Sequence, residues 1–317
     1  MAYGETSVGV LLMAFGGPNS PEEVEPFLQR VLGRRVPAHR VNEAKRRYGL
    51  IGGRSPLLEI TLRQARGLEQ CLHVQGTRFK VYVGMRHWHP FIAESLVEVL
   101  KDGIRRVVAL SLAPYQSTPY VLELRRAMAA LRGEIALSVV GGWHAHPLFI
   151  QAVAEKLQEG LVRFPAAVRD RVHVIFSAHS LPQKAVAGTP YVEHIEATIR
   201  GIVRIAGPIP WRLAFQSRGD NGGEWLGPDV GAVLGELMRG GHREVLIVPM
   251  GFVADNLETL YDIDILFRQQ AESMGMSFRR CPSLNDSDTF IEALCSIVHK
   301  HLMDERQEAH EEMEAKS

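Results

Sequence analysis

Eight short runs of apolar or β-branched residues recur along the chain, at 8–13, 79–84, 106–112, 135–140, 172–177, 211–216, 244–250 and about 277–281. Longer amphipathic segments separate them. Alternation of apolar runs with helical spacing is the pattern of a parallel sheet joined by crossover helices. The prediction is an α/β protein with four strands in each half.

The two sets of runs resemble each other. Val8–Pro18 aligns with Val172–Pro182, sharing apolar positions, an alanine and the final proline, which puts Phe15 opposite His179. Phe79–Arg86 aligns with Trp211–Arg218, and Arg106–Leu112 with Glu244–Met250. Three alignments in one order favour a duplicated unit, hence two Rossmann-like domains. Ligands of such sheets bind beyond the carboxyl ends of the strands, where His179, Arg86, Arg218 and the loop after Met250 fall. The expected division is residues 1–143, 144–302 and a charged, frayed tail 303–317, joined through the amphipathic stretch Pro147–Arg163. Ser283-Leu-Asn-Asp is the expected cap of a last helix, 286–302, that packs on the first domain.

Composition narrows the classes. With 317 residues, 46% apolar and 23% charged, the chain is long enough for one large domain or two ordinary ones. Lys plus Arg equals Asp plus Glu at 36 each, so the overall charge recruits neither nucleic acid nor an anionic membrane. The three cysteines, Cys71, Cys281 and Cys295, lack CxxC spacing, which argues against a disulfide framework, a structural zinc or an iron–sulfur cluster. A reducing cytoplasm is the expected compartment. The early apolar run 8–15 has no preceding positive charge and is too short to span a bilayer. No transmembrane segment is expected.

Two residues carry most of the chemistry. His179 leaves its strand in a Ser-His-Ser turn before Leu181-Pro182, and Glu258 opens a segment with helical spacing, capped by Asp255 or Asn256. One neutral imidazole and one carboxylate past buried strands can hold a divalent metal or move a proton. Asp262, four residues after Glu258, shares its helix face, whereas Tyr261 and Asp264 do not. Arg47 to Ser55, with its Gly52-Gly53 turn, suits a loop presenting donors to a carboxylate or phosphate. Arg86-His87 and the turn-rich Gly219–Gly223 loop with Trp225 are further ligand candidates. No GxGxxG follows a strand, no P-loop occurs, and nothing supports a Cys–His nucleophile.

Ser177-Ala-His-Ser-Leu-Pro182, Gln216-Ser-Arg with Trp225-Leu-Gly-Pro228, and Gly251–Asp262 together resemble the ferrochelatases, which insert ferrous iron into a porphyrin. Leu12–Pro18, Arg47-Tyr48, Ile51–Pro56 and Gly84–Pro90 match in the same order, so the likeness runs from about residue 8 to 302. It implies the chelatase fold, two similar four-stranded α/β domains around a porphyrin cleft. It implies His179 and Glu258 as catalytic residues and metal ligands, with Asp262 secondary. Phe15, Arg47, Tyr48, Ser55, Arg86, His87 and Trp225 become porphyrin-binding candidates. The expected partners are a porphyrin and Fe²⁺ as substrates of haem biosynthesis in a monomer, without organic cofactor, iron–sulfur cluster or nucleic acid. A cobalt or sirohydrochlorin chelatase and a non-catalytic haem carrier are the alternatives. The chain departs from the family pattern at Leu266, where a further Glu is usual, and at Phe15 and Leu124, where some members carry Tyr. It also lacks the animal-type C-terminal extension and cysteine cluster. These departures leave coproporphyrin III and protoporphyrin IX both open.

Overall fold

The computed structural model describes residues 6–74, 76–115, 117–131, 133–219 and 223–314. All eight expected strands form: β1 (Thr6–Ala14), β2 (Thr77–Met85), β3 (Arg106–Ser111), β4 (Ala136–Val139), β5 (His173–His179), β6 (Trp211–Gln216), β7 (Glu244–Pro249) and β8 (Ser277–Arg280). Every pairing is parallel, in two sheets ordered β2-β1-β3-β4 and β6-β5-β7-β8. The continuous apolar runs are explained by burial on both faces: Val10, Leu11 and Leu12 of β1 and Val174, Ile175 and Phe176 of β5 are all fully buried.

Register tests the internal alignment strand by strand. Val8 pairs with Arg106, and His173 with Val245, so β1 matches β5 and β3 matches β7 at the expected positions. The alignment of β2 with β6 is two residues out. Ala14 pairs with Met85 while Ala178 pairs with Phe215, which sets Arg86 against Gln216 rather than Arg218. A slip of two keeps each side chain on its face, so the apolar pattern alone cannot detect it.

The chain groups into two compact units with interleaved boundaries. One contains Met1–Gly16, Thr61–Phe149 and Asp286–Ser317; the other contains Gly17–Ile60 and Ile150–Asn285. A single cut between residues 143 and 144 therefore does not describe them. Residues 17–60 group with the second sheet because the helix Ala38–Leu50 packs on the segment Glu258–Phe267: Arg46 Nη2 donates to Tyr261 Oη at 3.3 Å, and the Arg47 guanidinium lies 5.2 Å from that ring's centre. The last helix groups with the first sheet through Arg106–Glu305 (2.9 Å) and His301–Ser138 (3.0 Å).

That helix spans Asp288–Glu314, so the charged stretch expected to fray is helical throughout its described part, and 315–317 lie outside the described residues. Its charges pair one turn apart, as in Lys300–Asp304 and His310–Glu314, and such pairs support an exposed helix. Ser283 does not cap it; its hydroxyl donates to Asp255 at 2.7 Å.

Candidate active site

In the second unit the strand order reverses between β5 and β7, which leaves a crevice beyond their carboxyl ends. His179 is the last residue of β5, and Glu258 follows the loop after β7. Their side chains meet there, His179 Nδ1 lying 2.9 Å from Glu258 Oε2. With side-chain exposures of 34% and 31%, both remain reachable from solvent. Gly251 lets the loop after β7 run close against the end of β5, since a Cβ at that position would lie 2.9 Å from the His179 backbone nitrogen. Gln216 Nε2 donates to the Glu258 carbonyl at 3.3 Å, and Tyr191 Oη to the His179 carbonyl at 3.1 Å, so the backbone of both partners is held.

Glu258–Phe267 is a π-helix rather than an α-helix: the Arg268 N–H reaches the Ile263 carbonyl, five residues back. Such helices are rare and cluster at functional sites. Of the two capping candidates, Asn256 caps, its Oδ1 accepting from the amides of Glu258 (2.8 Å) and Thr259 (3.2 Å). Asp255 instead enters a buried network, accepting from Arg280 (3.0 Å), Ser283 (2.7 Å), Thr259 (3.1 Å) and Asn285 (3.0 Å). Arg280 also grips Asp264 at 3.0 and 2.7 Å, clamping both ends of the segment that carries Glu258 and Asp262. Burial would raise the Asp255 carboxyl, but Arg280 and the three hydrogen-bond donors hold it below its ordinary value.

Asp262 is on the Glu258 side, where burial and the Glu258 charge outweigh the Ser217 hydrogen bond, Arg47 and His179, and push its carboxyl up to about 6. Ser217 donates to it at 2.6 Å from a left-handed backbone conformation, φ 60°, uncommon for a residue other than glycine. Burial would depress His179, but the charge and hydrogen bond of Glu258, with Asp262 beyond, hold the imidazole above its ordinary value. His179 and Asp262 therefore both hold a proton more tightly than usual, and the Glu258 charge is a cause in each. Among the described residues no three His, Cys, Asp or Glu side chains converge to hold a metal ion. His179 and Glu258 can offer an ion two donors, with Asp262 outside that pair.

The other expected site residues are spread over both units. In the second, Tyr48 is buried, and burial together with the Glu258 charge raises its hydroxyl pKa. Its carbonyl accepts from Gly53 (2.8 Å), closing a turn in which Gly52 and Gly53 have φ of 100° and 83°. Arg47 pairs with Glu43 on its own helix. Ser55 is buried, and its hydroxyl accepts from the Leu57 amide at 3.3 Å at the start of a helix. Trp225 lies against Gly219 and, with Arg218, lines a cavity of about 310 Å³; residues 220–222 of that loop lie outside the described residues. A larger open groove of about 490 Å³ between Gln151 and Ala206 contains none of these groups. In the first unit, the exposed Phe15 ring is 4.5 Å from His87, and Arg86 is 6.0 Å from the ring of Tyr120, all at the carboxyl end of its sheet. Ser217 and Arg280, and the part that Asp255 plays with Arg280, escape a sequence reading because their partners are distant in the chain.

Two like-ordered parallel sheets flanked by helices, with a histidine–carboxylate pair at the crevice of one, place the chain in the two-sheet α/β class. Solved structures share the fold: SirB from Bacillus subtilis with Fe³⁺ superposes with a TM-score of 0.58 at 11% identity, covering 93% of this chain and 95% of that one. The sirohydrochlorin chelatase SirB from Bacillus subtilis subspecies spizizenii in complex with cobalt does so at 0.53 and 12% identity, covering 93% and 94%. The family model for ferrochelatase matches residues 7–302. The ferrochelatase of Geotalea uraniireducens is 39% identical, over 93% of this chain and 98% of its own. That of Herpetosiphon aurantiacus is 39% identical, over 91% and 97%. The chain belongs to the ferrochelatase family and is a porphyrin metal chelatase, a lyase. Among the described residues no helix is long and apolar enough to cross a membrane.

Proposed function

We propose that the protein inserts Fe²⁺ into coproporphyrin III or protoporphyrin IX in haem biosynthesis, with His179 and Glu258 as its catalytic pair. The observation that carries this reading is the 2.9 Å contact of these two side chains beyond the carboxyl ends of β5 and β7. Insertion must remove two pyrrole protons as iron enters. With Nδ1 engaged by Glu258, His179 keeps Nε2 for the macrocycle or the ion. The raised affinity of His179 for protons, and that of Asp262, support a relay from the imidazole through Glu258 to Asp262. Two converging donors also suit an ion that is cargo, because a structural ion would be closed in by four ligands. Arg47, Tyr48 and Trp225, in the same unit as the catalytic pair, hold the macrocycle there, with Ser55 shaping the loop after Tyr48; Phe15, Arg86 and His87 are porphyrin-binding candidates on the family resemblance.

Anaerobic Fe²⁺ insertion, followed as loss of free-base porphyrin fluorescence with both porphyrins side by side, tests this reading. The wild type accelerates insertion into one of them, and His179→Ala and Glu258→Gln abolish the gain. No acceleration with either porphyrin, together with an unchanged rate for His179→Ala, overturns it.

A further inference from the structure

Away from the proposed site, the helix Leu57–Cys71, which joins the first unit from Thr61 onward, runs beside the last helix and the residues just before it. Arg63 Nε bonds Asp286 Oδ2 at 2.9 Å. One turn further along the first helix, a Cβ on Gly67 would lie 3.1 Å from Ile291 Cγ1, so the missing side chain lets the two helices approach closely. Residues one turn apart stack on the same face of a helix. The next turn of each helix carries Cys71 and Cys295, placing the two thiols on the facing sides of the helices, where Cys71 affects the Cys295 thiol. The following turn of the last helix carries His299, whose Nδ1 is 3.9 Å from Cys295 Sγ.

The chemistry of the two thiols differs. Cys71 is part-exposed, at the end of its helix, whereas Cys295 is buried. No third His, Cys, Asp or Glu joins them closely enough to make a metal site among the described residues. We propose that Cys71 and Cys295 form a peroxide-reactive dithiol, with Cys71 the thiol oxidised first and Cys295 the one that resolves it into a disulfide.

The atoms balance in two steps. The Cys71 thiolate attacks one oxygen of hydrogen peroxide, the O–O bond breaks, and a sulfenic acid forms with release of hydroxide, which takes up the proton the thiol gave up. The Cys295 sulfur then attacks the sulfenic sulfur, expelling its oxygen as water. Overall, two thiols are oxidised and one peroxide is reduced to two waters. Burial, reinforced by the contact with Cys71, pushes the Cys295 thiol up to about 12, so it needs a base. His299 is placed to take its proton at Nδ1, since burial, together with His73, holds that imidazole below its ordinary value and therefore neutral. The product staples the two helices, and a cross-link between residues so far apart in sequence stabilises by restricting the unfolded chain.

The test is titration of the reduced full-length protein with hydrogen peroxide, read by thiol counting under denaturing conditions, peptide mass mapping and thermal melting. The expected result is a fall from three thiols to one, a linked Cys71–Cys295 peptide lighter by two hydrogen atoms, reversal by dithiothreitol and a melting temperature raised by several degrees. Cys281→Ala retains the cross-link, and Cys71→Ser loses both it and the shift in melting. Cys295 that remains alkylatable after Cys71 has gained oxygen, or a Cys71 linkage between two molecules, overturns the proposal.

Discussion

β1 and β5 hold the same place in sheets of the same order, and their pairing with β3 and β7 is in the same register. They nevertheless end differently. β1 leads into Phe15, an exposed ring beside His87. β5 ends in His179, bonded to a carboxylate on a π-helix. The outer strands diverge too, because register sets Val139 of β4 against Arg280 of β8. Val139 packs on an apolar core, while Arg280 organises two aspartates. A scaffold determined by apolar burial thus tolerates very different chemistry at its strand ends, where side chains leave the core.

The largest expected effect separates the two strand ends. Glu258→Gln and His179→Ala lower the rate of iron insertion by about 10²-fold or more, the usual reach of acid–base groups, while Phe15→Ala weakens porphyrin binding and changes kcat only a few-fold. Steady-state kinetics decide the matter, and an equal loss of kcat in Phe15→Ala erases the distinction between the two strand ends.

Next comes stability at the outer strands. Arg280→Met leaves Asp255 buried without its cation and Asp264 with only Arg268 at 3.5 Å, and costs about 3–5 kcal/mol. Val139→Ala removes only methyl groups from a part-buried position and costs about 1 kcal/mol. Urea denaturation of the two variants measures the gap.

A smaller effect depends on pH. The Asp262 carboxyl is raised in the folded state to about 6, so the folded protein binds this proton more tightly than the unfolded chain does. Its contribution to stability is complete below the ordinary carboxylate value near 4 and is lost as pH rises through about 6. Wild type should therefore lose on the order of 2 kcal/mol relative to Asp262→Asn between pH 4 and 7. Asp255 works in the opposite sense: its depressed carboxyl stabilises the fold above the ordinary value, and that support disappears as pH falls through the depressed one. Urea midpoints for wild type, Asp262→Asn and Asp255→Asn across pH separate the two.

The smallest effect is expected at Ser217. Ser217→Gly relieves a left-handed backbone but removes the bond to Asp262, and the two changes offset to within about 1 kcal/mol. Asp262 then titrates at higher pH, which NMR of its carboxyl carbon can follow.

The eight strands, their parallel pairing and the neighbourhood of His179 with Glu258 were legible because apolar runs, crossover lengths and turn residues are local properties of the chain. The β2–β6 equivalence was misread by two residues because period-two patterning is blind to that slip. The boundary of the compact units was not legible either. Residues 17–60 join the second unit through contacts such as Arg46 with Tyr261, and nothing within either segment announces its partner.

The sequence by itself determined two like-patterned α/β halves, the family, and the residue types at the ends of the strands. Only the tertiary structure decided that the segment bearing Glu258 and Asp262 is a π-helix clamped by Arg280, and that Ser217 holds Asp262. Burial patterns follow from the order of residues along the chain. The protonation of a carboxylate or the reach of a thiol depends on which distant groups the fold brings within a few ångströms.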